Sequence, residues 1–493
     1  MIFLYIALPL AVAAVLPLVG KISKRFLPDL MANSVFSILL VMALTGGKQL
    51  AVGGPFLQKL NWLGETFNIQ VAVDGFSQFM LLAIALVCLA VGLFSIDYME
   101  HYGSKSVYYA LLLVMAAGMN GLVLVTDLFQ VYIFLEVAAV ASYALVAYGL
   151  EHDELEASFK YLMLSVIASA AILVGIALLF GLTGGLSFAS VAKGLAILKA
   201  PLAAGLCAAL FLMGFGLKAA LIPFHAWLPD AHPSAPAPIS AILSGLLIKV
   251  SGVYAIVRIL FNVFGLTPAL SQVLMWMGAV SIVVAAMLAL GQKDLKRMLA
   301  YSSISQVGYI VLGIGLGTPL GIAGGLFHLF HHAMAKGLLF LNSGSVQMST
   351  GTRNLEEMGG LARRMPLTAG TSLVGSLSIA GVPPLAGFWS KLMIIMALVQ
   401  AAEWPLAVIA VLASVLTLWY YLLIQRKAFF GKLEERWKEV REAPLWMSVS
   451  TVLLSLLIIA VGLVFAFVVR TWIEPAAGVL GQGVQAVTGL GGY

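Results

Sequence analysis

Five lysines of this sequence lie within or at the ends of long apolar stretches, where charge is costly: Lys160, Lys218, Lys249, Lys336 and Lys391. On insertion scales a charge at the bilayer centre costs about 2.5–3.5 kcal/mol, so such groups must face partners or water. Burial favours a neutral amine, whereas an adjacent carboxylate favours the ammonium. A buried lysine can therefore bind and release protons near neutral pH, which arginine cannot do. The pattern predicts a proton relay.

A few carboxylates accompany these lysines. Asp127 begins one apolar stretch and Glu136 lies in its middle, while Asp74 lies near the start of another. Most other acidic residues fall in polar segments or at the ends of stretches. Because a Lys–Glu pair that separates would release the proton of the amine, Glu136 is a candidate member of the relay.

Histidines add a titratable helix face. His328, His332 and Lys336 are spaced by four, so they share one face of a helix, with His331 beside it. Two imidazoles four residues apart can bind zinc. No nearby carboxylate or thiol completes a ligand set, so we expect neither a metal nor another cofactor. A proton path is the preferred interpretation, and His225 and His232, which flank Pro223 and Pro229, are expected at the inner edge of a helix break.

A lysine near a helix end can instead extend its ammonium to the membrane surface. This alternative is open for Lys160, which begins its helix, and it is weaker for Lys336 inside HHAMAKGLLFL. Lys218, Lys249 and Lys391 are predicted at mid-span, from where the surface is hard to reach.

The elements that must position these groups are transmembrane helices. The chain is 62% hydrophobic and 10% charged, whereas soluble domains carry about 25% charged residues. Runs of roughly 18–25 apolar residues predict an all-α polytopic membrane protein with about 14 transmembrane helices. The runs lie near 2–19, 30–46, 72–95, 106–125, 127–149, 159–182, 203–222, 237–260, 269–290, 298–316, 320–346, 367–399, 403–425 and 447–470.

Basic residues in the connecting segments set the predicted orientation. With the N-terminus outside, most of them fall inside, Lys105 and Lys296 included, and few fall outside, among them Arg258. Both termini are therefore expected outside. Since this topology explains the net charge of +6, no nucleic-acid partner is expected. The remaining basic residues, which fall within or at the ends of the predicted spans, are all lysines.

Proline interrupts the predicted seventh and twelfth helices. Pro223 follows Lys218, whereas Pro383 and Pro384 precede Lys391. Proline removes a backbone donor and breaks a helix. The reversed order of lysine and break predicts two inverted five-helix repeats, and broken helices in corresponding places of two halves indicate a transport path near the midplane of the membrane.

This interpretation divides the chain into five parts. They are the N-terminal helices 1–3 (1–105), a first repeat of helices 4–8 (106–260), a second of helices 9–13 (261–425), an amphipathic connector on the inner surface (426–446), and helix 14 with the C-terminal tail (447–493).

Five motifs give the chain a resemblance to the antiporter-like subunits of respiratory complex I, of Mrp Na⁺/H⁺ antiporters and of membrane-bound hydrogenases. The resemblance covers about residues 70–430. Because the chain ends soon after the last predicted span, it resembles the shorter members, which do not have the long lateral helix of the largest ones. The stretch VYIFLEVAAVASYALVAYGLEHDELEASFKYLM (131–163) makes it most similar to the D-type Mrp subunit and its hydrogenase counterpart. The motifs are DLFQVYIFLEVAAVASYALVAY (127–148), FGLKAALIPFHAWLPDAHPSAPAPISAILSGLLIKVSGVYAIVR (215–258), LKRMLAYSSISQVGYI (295–310), HLFHHAMAKGLLFL (328–341) and GVPPLAGFWSKL (381–392).

The resemblance implies roles for single residues. Glu136 would pair with Lys218 of the broken seventh helix. Lys249 would be the central lysine of the eighth helix, and Lys391 the ionisable residue of the broken twelfth.

The resemblance also implies positions for further residues, and a function. His328 and His332 would form the polar face of the eleventh helix, which joins two half-channels, while Asp127 and Lys160 also fall on family positions. The implied function is proton translocation, or Na⁺/H⁺ antiport, as a membrane subunit of a multisubunit complex in the cell membrane of a prokaryote. Its partners would be other membrane subunits, H⁺ and possibly Na⁺. The alternative is a non-catalytic membrane-arm subunit of a respiratory oxidoreductase or hydrogenase, with a quinone-binding or scaffold role.

Overall fold

A computed structural model describes residues 2–61, 68–198 and 200–489, most of which are helical. The α-helices are α1 (Leu4–Ile22), α2 (Phe26–Gly53), α3 (Gly75–Tyr98), α4 (Lys105–Leu124), α5 (Leu128–Val146), α6 (His152–Thr183), α7 (Phe188–Leu198), α8 (Pro201–Lys218), α9 (Leu228–Ser234), α10 (Ala237–Ile242), α11 (Ala255–Asn262), α12 (Pro268–Leu290), α13 (Leu295–Gly315), α14 (Pro319–Thr350), α15 (Pro366–Ala380), α16 (Ala386–Gln400), α17 (Trp404–Ile424), α18 (Leu445–Leu463), α19 (Phe465–Val468), α20 (Glu474–Gly481) and α21 (Gln485–Thr488).

Shorter elements complete the described ranges. An antiparallel hairpin is formed by β1 (Phe56–Asn61) and β2 (Asn68–Val73). The π-helical segments are Leu243–Tyr254, Gln425–Phe429 and Val469–Ile473, and the 3₁₀ turns are Met99–His101, Leu361–Arg363 and Glu435–Trp437. The hairpin and α7 were not predicted, because both are too short to give the span-length signal on which the sequence interpretation rested.

Within the described ranges, twelve helical segments are long and apolar enough to cross a membrane. Helical structure coincides with every predicted run, but the runs 320–346 and 367–399 do not correspond to any of these twelve segments. Three histidines and a lysine lower the hydropathy of α14, and a break divides the other run into α15 and α16. The chain is a polytopic helical membrane protein, as expected, while the count of fourteen spans stays a prediction.

The most buried helices carry the ionisable groups. The segment from α10 through α11 is entirely buried and α13 nearly so, whereas α1, α2, α6 and α17 are largely exposed. The exposed side chains are apolar, as Phe159, Leu202 and Trp419 show. An apolar rim is what contact with lipid requires, so the core of the fold is the buried group of helices inside it.

The two predicted helix breaks are present. α8 and α15 are each followed by a residue in the left-handed region, Ala220 (φ 55°) and Gly381 (φ 90°). The next amide, of Leu221 or Val382, donates to a carbonyl five residues earlier at 2.9 Å and 3.0 Å. Both helices therefore end in the same type of C-terminal motif.

One end of the bundle is rich in ionic contacts and is called the basic face here. It contains the loops 23–25, 99–104, 291–294, 351–365 and 430–444. Ion pairs such as Arg353–Asp294 (3.2 Å) and Lys293–Glu356 (3.0 Å) join these loops. Because α3 begins beside β2 and ends at this face, the hairpin lies at the opposite end.

The predicted connector 426–446 also lies on the basic face. It comprises most of the π-helical segment Gln425–Phe429, the 3₁₀ turn Glu435–Trp437, irregular loops and the first residues of α18. It contacts the loop 351–365 through Trp437, whose indole N–H donates to the carbonyl of Glu357 at 3.1 Å. The domain boundaries drawn from the sequence stay predictions. Residues 1 and 62–67 of the first part, 199 of the first repeat and 490–493 of the last part lie outside the described ranges.

Helices α12 and α13 approach almost to backbone contact. A Cβ on Gly308 would lie 2.6 Å from the carbonyl oxygen of Gly278, and a Cβ on Gly278 would lie 2.7 Å from that of Gly308. Small residues at such crossings allow membrane helices to pack by close van der Waals contact. This contact fixes the position of α13, whose other side meets the buried ionisable groups.

The substitution Gly308→Ala should therefore destabilise the protein, because overpacking a close contact costs about 1–3 kcal/mol. We expect a lower thermal denaturation midpoint in detergent, measured by tryptophan fluorescence. The matched control is Gly205→Ala on α8, where a Cβ meets no atom within 4 Å. Equal midpoints for the two variants would contradict the close contact.

Candidate functional site

Glu136 and Lys218 lie within ion-pair distance where α8 breaks. Lys218 is the last residue of α8, and its Nζ lies 3.6 Å from Oε1 of Glu136 on α5. The amine also donates to the hydroxyl of Ser165 at 2.5 Å, and Ser169 donates to the carboxylate. The lysine side chain is 3% exposed and the glutamate 29% exposed, so the pair joins the interior to the rim of the bundle. The ammonium form of Lys218 has this one carboxylate as its countercharge among the described residues.

Lys249 occupies the π-helical segment Leu243–Tyr254 and is fully buried. Its Nζ donates to the backbone carbonyl of Ser244, five residues earlier. The hydroxyl of Ser244 in turn bonds that of Ser303 on α13 at 2.7 Å. In the described part of the chain no carboxylate lies within ion-pair distance of Lys249. π-helical turns often mark functional sites, and here one carries the buried Lys249.

Lys336 on α14 is also fully buried and reaches neither surface of the bundle. Its Nζ donates to the carbonyl of Leu299 at 2.8 Å, to the hydroxyl of Ser302 at 2.9 Å and to that of Tyr421 at 3.0 Å. These three oxygens use every N–H of an ammonium. Snorkelling is excluded for this residue.

The histidine face of α14 points into the bundle, and all three imidazoles are buried. Nδ1 of His328 lies 2.9 Å from the hydroxyl of Ser390, and Nε2 lies 3.2 Å from Oε1 of Gln306. His331 bonds a serine of α15 at 2.8 Å. Neither nitrogen of His332 has a partner among the described residues. The face therefore contacts α13, α15 and α16.

Lys391 on α16 lies beside the second break with 4% exposure. Its Nζ is 3.5 Å from the carbonyl of Ala380, at the end of α15, and 4.7 Å from the ring centroid of Tyr309. The face of an aromatic ring attracts an ammonium. The same ring lies 5.7 Å from that of His328, so Tyr309 lies beside both Lys391 and His328.

Three further predicted residues lie away from this line. Lys160 is half exposed and pairs with Glu156 at 2.7 Å, as a lysine near a membrane surface would. Asp127 caps α5, where its carboxylate accepts two backbone N–H groups at 2.8 and 3.1 Å. His225 lies in the segment between α8 and α9.

Three basic residues assigned to polar segments are in fact buried. Lys105 pairs with Asp29 at 2.8 Å, and Lys296 at the start of α13 is 2% exposed. Arg258 lies in α11 and pairs with Asp74 at 2.6 Å. The expectation that basic residues within spans are all lysine is therefore wrong. Asp74 compensates the guanidinium from a position 184 residues away, which composition along the chain does not reveal.

Polar residues of α13 were missed as candidates, and His232 was expected beside the helix break but was not counted in the relay. Ser302, Ser303, Gln306 and Tyr309 all contact buried ionisable groups or their neighbours. Inside the motif LKRMLAYSSISQVGYI, Gln306 follows the adjacent pair Ser302 and Ser303 by four and three positions, and Tyr309 follows Gln306 by three. That spacing was the available signal. His232 on α9 is fully buried, and neither of its ring nitrogens has a partner among the described residues.

Comparisons of this chain with family models, with curated proteins and with solved structures agree with one another. Residues 125–417 match the model described as NADH:quinone oxidoreductase/Mrp antiporter, TM, and residues 62–109 match that of the N-terminus of complex I chain 5. The chain is 34% identical to the N-type subunit of NADH-quinone oxidoreductase from Desulforudis audaxviator, over 88% of this chain and 87% of the relative. It is 35% identical to the D-type subunit of the Na⁺/H⁺ antiporter from Alkalihalophilus pseudofirmus, over 76% and 75%. A chain of the Mrp complex from Dietzia sp. superposes with a TM-score of 0.91, at 28% identity and 99% coverage of both chains.

The buried pair Arg258–Asp74 should matter for stability. Arg258→Met should lower the free energy of unfolding by about 3–5 kcal/mol, because it leaves a buried carboxylate uncompensated. Thermal denaturation in detergent measures the effect. The double variant Asp74→Asn/Arg258→Met should regain much of the loss, since asparagine still caps α3. If the double variant is as unstable as the single one, the uncompensated charge is not the cause.

Proposed function

The chain belongs to the transmembrane family shared by NADH:quinone oxidoreductases and Mrp antiporters, and from this premise we propose that it translocates protons as a membrane subunit of a multisubunit ion-pumping complex. One observation carries the proposal. Titratable side chains form a series across the bundle that begins at the partly exposed Glu136 and continues through buried residues, namely Lys218, Lys249, Lys336, His332, His328 and Lys391.

The amines of this series suit proton transfer. Lys249, Lys336 and Lys391 are held by carbonyls, hydroxyls or an aromatic ring, and none has a carboxylate within ion-pair distance in the described part of the chain. Ammonium groups enclosed together in a low-dielectric interior repel one another strongly. A proton that arrives at one lysine therefore favours the departure of a proton from the next.

Water must join these groups. Packed helices lie about 8–10 Å apart, so a proton cannot pass directly between most side chains on neighbouring helices. Both ring nitrogens of His332 lack a protein partner among the described residues, and buried polar atoms of that kind are normally satisfied by water. We place His332 and His328 on the path between Lys249 and Lys391.

In this proposal the Glu136–Lys218 pair responds to charges on a neighbouring subunit. Glu136 is the more exposed member, so a charge on an adjacent chain can attract or repel its carboxylate. When Lys218 loses this countercharge, its ammonium form is disfavoured in the apolar interior. A change of charge at the break of α8 would then alter the position or the environment of the π-helical segment that carries Lys249. The two segments are in close contact, because Gly252 packs against the backbone of Ala219.

The topology proposed from the sequence has structural support. The shared C-terminal motif at both breaks favours two inverted repeats over 106–260 and 261–425. The abundance of Lys and Arg on the basic face favours its location inside the cell. The amide of Ile2 donates to Gln58 of the hairpin at 2.9 Å, so the N-terminal end would lie outside.

Protons are the preferred ions for this chain. Sodium prefers several oxygen ligands, as hard cations do, whereas the buried series is made of amines and imidazoles with one carboxylate. Na⁺ exchange, where the complex performs it, would then use other subunits.

Lys249→Met tests the proposal, because methionine has a similar shape and cannot carry a proton. In inverted membrane vesicles that contain the whole complex, proton transport should fall at least about tenfold, as expected for loss of an acid–base group. The rate is measured with a pH-sensitive dye, and assembly is checked by native electrophoresis. Lys293→Met is the control, since that side chain is 69% exposed on the basic face. An assembled Lys249→Met complex with the transport rate of the wild type would contradict the proposal.

A further inference from the structure

A cavity of about 920 Å³ opens on the basic face, beside groups that the series above does not use. It lies between the start of α6, the end of α9, the start of α13 and the loop after α14. Its charged or titratable lining side chains are His101, Tyr98, Tyr102, Tyr148, Glu151, Asp153, Glu154, Lys296 and Arg353. This cavity is called the basic-face vestibule below.

Two buried groups of opposite charge line the vestibule without touching. Glu154 is 6% exposed, and its Oε2 has no partner among the described residues. Lys296 is 2% exposed, and its Nζ donates to the carbonyl of Ala235 at 3.0 Å. A buried carboxylate oxygen without a protein donor calls for water or a proton. The vestibule can supply both.

His232 lies on the interior side of Lys296. Ala235, which accepts the hydrogen bond of Lys296, is three residues further along the same segment. The His232 ring stacks on Phe340 at a centroid distance of 4.6 Å, and Nζ of Lys336 lies 5.8 Å from the centroid of the same Phe340 ring. Since neither ring nitrogen of His232 has a partner in the described part of the protein, both are free to bind water between Lys296 and Lys336.

Helix α13 continues the connection inward. Leu299, three residues after Lys296, offers its carbonyl to Lys336, and Ser302 offers its hydroxyl. At 1.5 Å per residue these contacts lie about 4.5 and 9 Å deeper along the helix. Ser303 then bonds Ser244, whose carbonyl holds Lys249. Helix α13 thus links the vestibule to both Lys336 and Lys249.

We propose that the basic-face vestibule is the proton intake of this subunit, through Glu154, Lys296 and His232 to Lys249 and Lys336. This intake rests on the proposed function but is separate from the Glu136–Lys218 pair. The carboxylate of Glu154 takes a proton from bulk water and passes it through water to the amine of Lys296. The resulting ammonium of Lys296 protonates neutral His232, and the imidazolium of His232 protonates the neutral amine of Lys249 or Lys336. Each donor returns to its starting form, and one proton has moved inward.

Lys296 could instead act only as a tether to Ala235, and Lys296→Arg separates the two roles. Arginine keeps the charge and the donor, but it does not release its proton. In vesicles with the whole complex, we expect Lys296→Arg and His232→Gln to lower proton transport at least about tenfold, while the control Lys293→Met stays at the wild-type rate. Transport at the wild-type rate by an assembled Lys296→Arg complex would overturn the intake.

A second measurement applies even where Lys296→Arg does not assemble. Ser234 lines the vestibule and carries none of the proposed transfer steps. Ser234→Cys should react with a charged, membrane-impermeant methanethiosulfonate from the basic face of inverted vesicles, and the modification should block transport. Cys88 and Cys207 are buried, so the background is low. Full transport after complete modification would overturn the intake.

The intake and the proposed function can fail separately. If Lys249→Met is inactive while Lys296→Arg, or modified Ser234→Cys, transports at the wild-type rate, the relay stands and the intake is wrong. If Lys249→Met itself transports normally, the proposed function fails first.

Discussion

The structure depends on how an amine is accommodated inside an apolar bundle. Most of the buried lysines of the series and its vestibule donate to backbone carbonyls: Lys249 to Ser244, Lys391 to Ala380 and Lys296 to Ala235. These carbonyls lie in a π-helical segment or at helix ends, where backbone oxygens lack their usual partners. A carbonyl accepts from a neutral amine and from an ammonium alike, so it holds the side chain in place through a change of charge.

Carboxylate partners act differently, and the structure uses them sparingly. The pair Arg258–Asp74 joins a permanently charged guanidinium to an acid at 2.6 Å, which makes a fixed contact between α3 and α11. The pair Lys218–Glu136 joins a titratable amine to an acid at the longer distance of 3.6 Å, beside a helix break and at the rim. The first arrangement suits a structural role and the second suits a contact that opens.

The sequence revealed part of this arrangement and necessarily missed the rest. Lys249 and Lys391 were recognisable because a lysine amid apolar residues violates the composition of a membrane helix, and the breaks were recognisable because proline acts locally. Lys296 and Arg258 were misplaced because the orientation rule treats basic residues at span ends as solvated. Their burial comes from Ala235 and Asp74, which are distant in the chain and become neighbours only through tertiary packing.

Helix α13 is the element that makes these contacts continuous. Its polar residues from Lys296 to Tyr309 cover about 20 Å along one helix, from the basic-face vestibule to the ring beneath Lys391. The opposite side of the helix is locked against α12 at Gly308 and Gly278. In the proposed relay, a helix held this closely would keep its position during each transfer. The moving parts would then be side chains and water, and the broken helices α8 and α15–α16 are where the backbone would leave room for them.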